Sequence, residues 1–281
     1  MIGTNCPQCP SLSRTARRLL ELTVAGFLGP WRVLRREREL IGLLVRRDLL
    51  TRTSGTLFGW GWTLAQPALQ VLAFWFLFEF VLRVKVPGKV AFVDYFLTAI
   101  IPWLFLTETL LKSLSVMDEY SAVYRRTVFP LRVLPLLPAL VTGALYLPIY
   151  VLLVAVLEGF PAIGKAVLIF LVLWVGVMPA AYLLAISGSF VKDLRQVFPF
   201  LLNLVFFVTP IIYLPEMLPA EIRPLLVLNP FADLIAAIHG LLYNTPVTLG
   251  NVLRPVLWWM LLLAPSWMLF HRAEPHLREL L

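Results

Sequence analysis

Charge is what this chain has least of. Only 14% of its 281 residues are Asp, Glu, Lys or Arg, well below the roughly 25% of an ordinary soluble domain. Cysteine and histidine are scarce too, at two and three residues. Cys6 and Cys9 form a lone CxxC with no companion pair, so neither a four-ligand zinc site nor a disulfide framework follows from them. His239, His271 and His276 are scattered and complete no metal or triad constellation. No Ser/His/Asp set and no paired carboxylates converge on one segment, which argues against an enzyme with its own catalytic centre and predicts no catalytic and no metal-ligating residues. The two-residue alternation of barrel strands is missing as well.

What is abundant is apolar surface. Hydrophobic residues make up 60% of the chain, against roughly 45–50% in soluble domains, and they fall in six stretches: Phe58–Leu82, Tyr95–Val116, Val133–Leu157, Val167–Val191, Val197–Leu214 and Val252–Phe270. Each approaches the roughly 20 residues that a helix needs to cross about 30 Å of hydrocarbon. Peptide groups in lipid find no water, so these segments are expected to be helices. The predicted fold is all-α and polytopic, with six transmembrane helices over 53–271.

The formal charge of +8 does not mark a nucleic-acid module, because the basic residues are placed by topology rather than beside interleaved aromatics. Ten arginines, from Arg14 to Arg52, precede the first span. Following six crossings puts about 17 Lys and Arg on the side of the N-terminus and about 6 on the other, the bias of the positive-inside rule. Both termini are therefore expected in the cytoplasm of a multi-pass inner-membrane protein. The first thirty residues lack the apolar core of a signal peptide and read as a disordered cytoplasmic tail, with a second tail over 272–281.

Between the first tail and the first span, residues 31–52 carry Leu34, Leu40, Ile41, Leu44, Val45 and Leu49 at helical spacing among arginines. This is the pattern of an amphipathic interfacial helix with its apolar stripe at the lipid boundary. It serves as an anchor, or as an anchor that also docks a partner. Gly159 to Lys165 matches the GxxxxGK of a phosphate-binding loop, but Ala166 stands where a hydroxyl is required and the segment is a short loop between spans, so nucleotide binding there is rejected. No cofactor is expected in this chain.

Three further features carry functional expectations. Glu108 and Lys112 are one helical turn apart inside the second span, in the favourable order for an ion pair. Intramembrane ionisable residues face a bundle interior or an aqueous path, so this is a neutralised structural pair or a proton relay. The loop Asp118–Pro130 is acidic at its start and basic toward its end, as a short helix favours. It is a push-transmitting helix or a solvated loop. Residues 215–251 are cut by five prolines into pieces too short to cross, Ala220–Leu228 and Phe231–Tyr243, which read as short re-entrant helices forming a gate, or as an external cap.

In order and spacing the chain resembles a known family, the transmembrane permeases of ABC transporters of the type-2 exporter class that export O-antigen, capsule or teichoic-acid polymers. The residues that carry the likeness are Arg47-Asp48, Arg52, Gly59, Trp62 and Pro67; then Pro102-Trp103, Glu108, Arg125-Arg126, Phe129-Pro130 and Pro135; then Asp193, Pro199, Thr209-Pro210, Tyr213 and Asn229-Pro230. It spans essentially Leu40 to Phe270. Thr53, His239 and the Cys6/Cys9 extension depart from the family pattern.

The resemblance implies a homodimer of six-span subunits, each bound to a separate ABC ATPase that holds the ATP and magnesium, with a lipid-linked polysaccharide moving between the two copies. It implies coupling to the ATPase through Arg47, Asp48, Glu119, Tyr124, Arg125, Arg126 and Phe129. A glycan path would use the aromatic faces of Trp62, Phe74, Trp75, Tyr95, Trp103, Phe105 and Phe206, and an external gate Tyr213, Pro215, Asn229 and Pro230. An ABC exporter of a drug, lipid or other small amphiphile shares the span number, and a membrane-embedded transferase is the remoter alternative.

Overall fold

A backbone in lipid must satisfy its own hydrogen bonds, and the computed structural model of this chain does so with helices alone. It describes residues 29–52, 60–81, 91–124, 129–219, 221–244 and 248–280, and no strand occurs among them. Residues 29–36 are helical and break at Glu37 before α1 (Arg38–Thr51). There follow α2 (Trp60–Phe76), which runs on as a π turn over Leu77–Val81, and α3 (Phe92–Glu119). Next come α4 (Leu136–Glu158), α5 (Ile163–Phe190), α6 (Leu194–Val208), α7 (Pro230–Tyr243) and α8 (Leu249–Leu280).

Among the described residues, four helical stretches are long and apolar enough to cross a bilayer: Phe92–Glu119, Leu131–Glu158, Phe160–Phe190 and Leu249–Leu277. The protein is therefore a multi-pass helical membrane protein. The other two expected spans are shorter. α6 stops at Val208 after 15 residues, a rise of about 22 Å, because Thr209 turns to an extended conformation ahead of Pro210. α2 keeps regular α geometry for 17 residues before the π turn. Beyond Phe270, α8 stays helical through the stretch expected as a C-terminal tail.

The centre of the bundle is α3 against α5 and α4. Without a hydrophobic driving force in lipid, small residues and interhelical hydrogen bonds hold such contacts. Gly188 of α5 meets the α3 backbone so closely that a Cβ there would lie 2.1 Å from the Leu114 carbonyl oxygen. The Thr109 and Thr142 hydroxyls bond α3 to α4 at 2.6 Å, and the Trp174 indole N–H donates to the Ala139 carbonyl at 3.1 Å. Around them one apolar cluster gathers Phe96, Phe105, Tyr150, Phe170 and Leu173, and a second gathers Met117, Tyr120, Leu134, Leu137, Tyr182 and Phe270 at the other end.

The interfacial helix differs from expectation. The stripe predicted to lie in the lipid boundary is turned into the protein: Ile41 and Leu44 are buried in the second cluster, with Leu34, Leu40 and Val45 packed against it. The ends of α3 and α4 offer apolar surface that water would otherwise meet, and burying the stripe there removes both from solvent. Leu43 and Leu50 remain exposed.

Candidate functional site

At the α1 end, the chain after α3 is tied down from several directions. The Tyr120 hydroxyl donates to Asp48 Oδ1 at 2.6 Å, and the Arg47 guanidinium lies 4.5 Å above the Tyr120 ring while pairing with Asp48 at 3.3 Å. Burial and then the Asp48 hydrogen bond push the Tyr120 phenol above its ordinary range, so it stays a donor. Arg195, just inside α6, pairs with Asp118 Oδ2 at 2.7 Å and donates to the carbonyls of Leu114 and Gly188. Ser121 Oγ donates to the Asp118 carbonyl, and the Ser115 hydroxyl donates to Glu119.

The far side of the same loop is fixed as firmly. Phe129 is buried in the second cluster. Arg132 pairs with Glu274 of α8 at 2.9 Å, and the Tyr182 hydroxyl donates to the Arg132 carbonyl at 2.7 Å. A single helical turn, Ser121–Tyr124, leaves the end of α3. Arg125 and Arg126 lie outside the described residues, as do Cys6, Cys9, Thr53 and Gly59.

Deeper along α3, Glu108 is not paired with Lys112 alone. Its Oε1 accepts from Arg52 Nη1 at 2.8 Å and from Lys112 Nζ at 2.9 Å. These charges line a cavity of about 520 Å3 with Trp62, Gln70, Thr107, Tyr146 and apolar side chains of α3 and α4. The structure thus brings Arg52 to a pair that the i, i+4 spacing alone suggested. In the sequence Arg52 stood in the run of arginines before the first span and among the residues that carry the family likeness, and nothing there joined it to Glu108.

The aromatics expected along a path separate into groups. Phe105 is fully buried, 4.6 Å from Phe170, inside the bundle. Phe74, Trp103 and Phe206 meet one another through ring contacts of 5.8 and 6.3 Å, with Phe231 of α7 against Trp103. Trp62 is exposed, and Trp75 packs edge-on against Phe80.

The segment expected as the gate is tied to its neighbours by side-chain hydrogen bonds. Asn229 caps α7, accepting from the Phe231 N–H, and its amide donates to Thr209 Oγ1 at 2.9 Å. Tyr95 donates to the Pro210 carbonyl and Tyr213 to the Val208 carbonyl. Pro215 opens a single 3-10 turn and Pro230 the first turn of α7. The piece expected as a helix from Ala220 is described as a 3-10 turn, Arg223–Leu228, with Val227 and Leu228 exposed. Asp233 of α7 is clasped by Arg254 of α8 at 3.0 and 3.1 Å, its carboxyl raised by burial while the guanidinium opposes the shift. His239 is buried against the Tyr95 ring at 3.7 Å and bonds the Tyr95 carbonyl.

These features define a multi-pass membrane protein whose charged side chains tie helices and loops together. Among the described residues no three His, Cys, Asp or Glu gather as a metal would need. No family model matches the chain. It is 26% identical over 220 residues to the O-antigen export system permease protein RfbA of Klebsiella pneumoniae, covering 73% of this chain and 81% of the relative, and a second protein of that name from the same species gives the same figures. With the protein so named from Myxococcus xanthus the identity is 27% over 214 residues, 74% of this chain and 81% of the relative. The resemblance to transmembrane permeases of that exporter class is borne out.

Proposed function

We propose that this chain is the transmembrane permease subunit of an ATP-driven exporter that moves a lipid-linked, O-antigen-like polysaccharide across the cytoplasmic membrane. The observation that carries the reading is the likeness over about three quarters of the chain to permeases named for O-antigen export. In this reading ATP and magnesium belong to a separate ABC ATPase, present in two copies. Two permease copies form the path. α2 and α6 complete a six-span subunit, with both termini in the cytoplasm.

Mechanically, closure of the ATPases pushes on the loop after α3. A push needs a rigid lever, and the loop is braced at Asp118 and Tyr120 on one side and at Phe129 and Arg132 on the other. Through Arg195 that load passes to the start of α6, and through Asp48 to α1, so that spans move together rather than the loop alone. The aromatics Trp62, Phe74, Trp75, Tyr95, Trp103 and Phe206 serve the glycan path, and residues 215–251 its external gate.

The decisive experiment reverses charge in the loop. Arg125→Glu with Arg126→Glu, reconstituted with the ATPase, should abolish polysaccharide export and stimulated ATP hydrolysis while the permease stays monodisperse. Normal export by that variant overturns the coupling reading.

A further inference from the structure

Glu108 supplies one negative charge to two cations, and both take the same oxygen. Arg52 Nη1 and Lys112 Nζ lie 2.8 and 2.9 Å from Glu108 Oε1. Tyr146 lines the same cavity as this carboxylate. With two cations and one acid, the lining of the cavity beside them is net positive. Arg52 Nη2 is buried and has no hydrogen-bond partner among the described residues, a state that costs free energy unless a ligand accepts from it.

Next to these groups is the space for such a ligand. The cavity of about 520 Å3 is lined by Arg52, Glu108 and Lys112, by the polar side chains Gln70 and Thr107, and by Trp62, Leu104, Leu111 and Ile149. A second cavity of about 270 Å3 shares Arg52 and Lys112 and extends to Arg47, Asp48, Glu119 and Tyr120. The two cations therefore stand where a membrane-level apolar chamber meets the α1 end of the molecule. A compact free anion would leave the Trp62 and leucine walls unused. An anion on an apolar tail fits both halves.

We propose that the Arg52–Lys112 cavity binds the phosphate ester of a lipid, its oxygens on Arg52 and Lys112 and its apolar portion along Trp62, Leu104 and Ile149. A guanidinium beside an ammonium suits a tetrahedral oxyanion, and basic pockets between spans are a recurring lipid-headgroup geometry. The site deepens the transport reading and rests on its membrane setting. The lipid carrier of the cargo and a bilayer phospholipid share this chemistry.

The test is native mass spectrometry of the full chain in detergent, with dioleoyl phosphatidic acid, a polyprenyl phosphate and dioleoylglycerol as probes. Both phosphates should be retained and dioleoylglycerol lost. A polyprenyl phosphate preferred over phosphatidic acid assigns the site to the carrier, and the reverse order to the bilayer lipid. Lys112→Met should weaken phosphate retention roughly tenfold, and Lys112→Arg should preserve it. Glu108→Gln removes the competing carboxylate and should tighten retention, a sign that a merely structural triad would not give. Unchanged retention in a monodisperse Lys112→Met protein, equal retention of dioleoylglycerol, or displacement by equimolar inorganic phosphate overturns the proposal. No ATPase is present, so a negative result is separate from failure of the coupling experiment with Arg125 and Arg126.

Discussion

Arg195 holds Asp118 at 2.7 Å while its other nitrogens donate to the carbonyls of Leu114 and Gly188. One guanidinium thus joins the last turns of α3 and α5 to the first turn of α6. The pair is about two-thirds buried, so removing the cation leaves an anion and two carbonyls short of donors. Arg195→Ala should lower unfolding free energy by about 2 kcal/mol, read as a fall in melting temperature in detergent. Arg195→Lys keeps the charge but loses the fork, and should recover less than half of that loss. If both variants melt like the parent, Arg195 is not a structural strut.

The same junction depends on Gly188. A Cβ at this position would sit 2.1 Å from the Leu114 carbonyl oxygen, and that neighbour is backbone, which cannot rotate aside. Gly188→Ala should force α5 away from α3 and cost about 2–3 kcal/mol, the scale of overpacking a close contact. Gly164, with open space around its Cβ position, is the control: Gly164→Ala in the first turn of α5 should leave stability unchanged or slightly raised. Equal melting temperatures for the two variants would contradict the close approach.

Trp62 and Phe105 were expected in one path, yet Trp62 is 49% exposed and Phe105 is 0% exposed. Their truncations should therefore differ in kind. Phe105→Ala opens a hole beside Phe170 and should destabilise by about 3–5 kcal/mol, lowering the yield of folded protein. Trp62→Ala should melt within about 0.5 kcal/mol of the parent while changing the export rate. Export at the parental rate by Trp62→Ala would remove Trp62 from the path.

Helical character and the α7 segment were legible, because each is written in a run of adjacent residues, whereas Asp118 and Glu119, read as the start of a loop, are the last residues of α3. Among the described residues four spans are long enough by themselves, but α6 stops at Val208 where a hydropathy stretch continues to Leu214. Hydropathy registers side chains and is blind to a backbone turning extended ahead of a proline. The stripe of α1 was legible as apolar, but the burial of Ile41 and Leu44 in a cluster with side chains of α3, α4, α5 and α8 was not, since no local period reports neighbours that distant in sequence. For the same reason Glu108–Lys112 was visible at i, i+4, whereas Arg52, 56 residues distant, was not. Arg195 and Arg254 counted only as topology charges.

His239 gives a pH prediction with a definite sign. It is buried between Tyr95 and Tyr243, lies outside the long spans and bonds the Tyr95 carbonyl; burial lowers its pKa to about 4, and the carbonyl contact only partly opposes that. The unfolded chain would protonate this imidazole near the ordinary 6.5, so above that pH both states are neutral and it contributes no slope. As pH falls from 6.5 toward 4, the unfolded state takes up a proton that the folded state refuses, and stability declines by about 1.4 kcal/mol per pH unit. At pH 5 the loss should be about 2 kcal/mol. Asp233, the acid of α7, shifts the other way: its carboxyl is raised, so it adds stability on acidification and partly masks the effect. His239→Phe keeps the stacked ring and removes the titration. Its melting temperature should fall less than that of the parent between pH 7 and pH 5, and an identical fall in both would show that the imidazole is not the group lost.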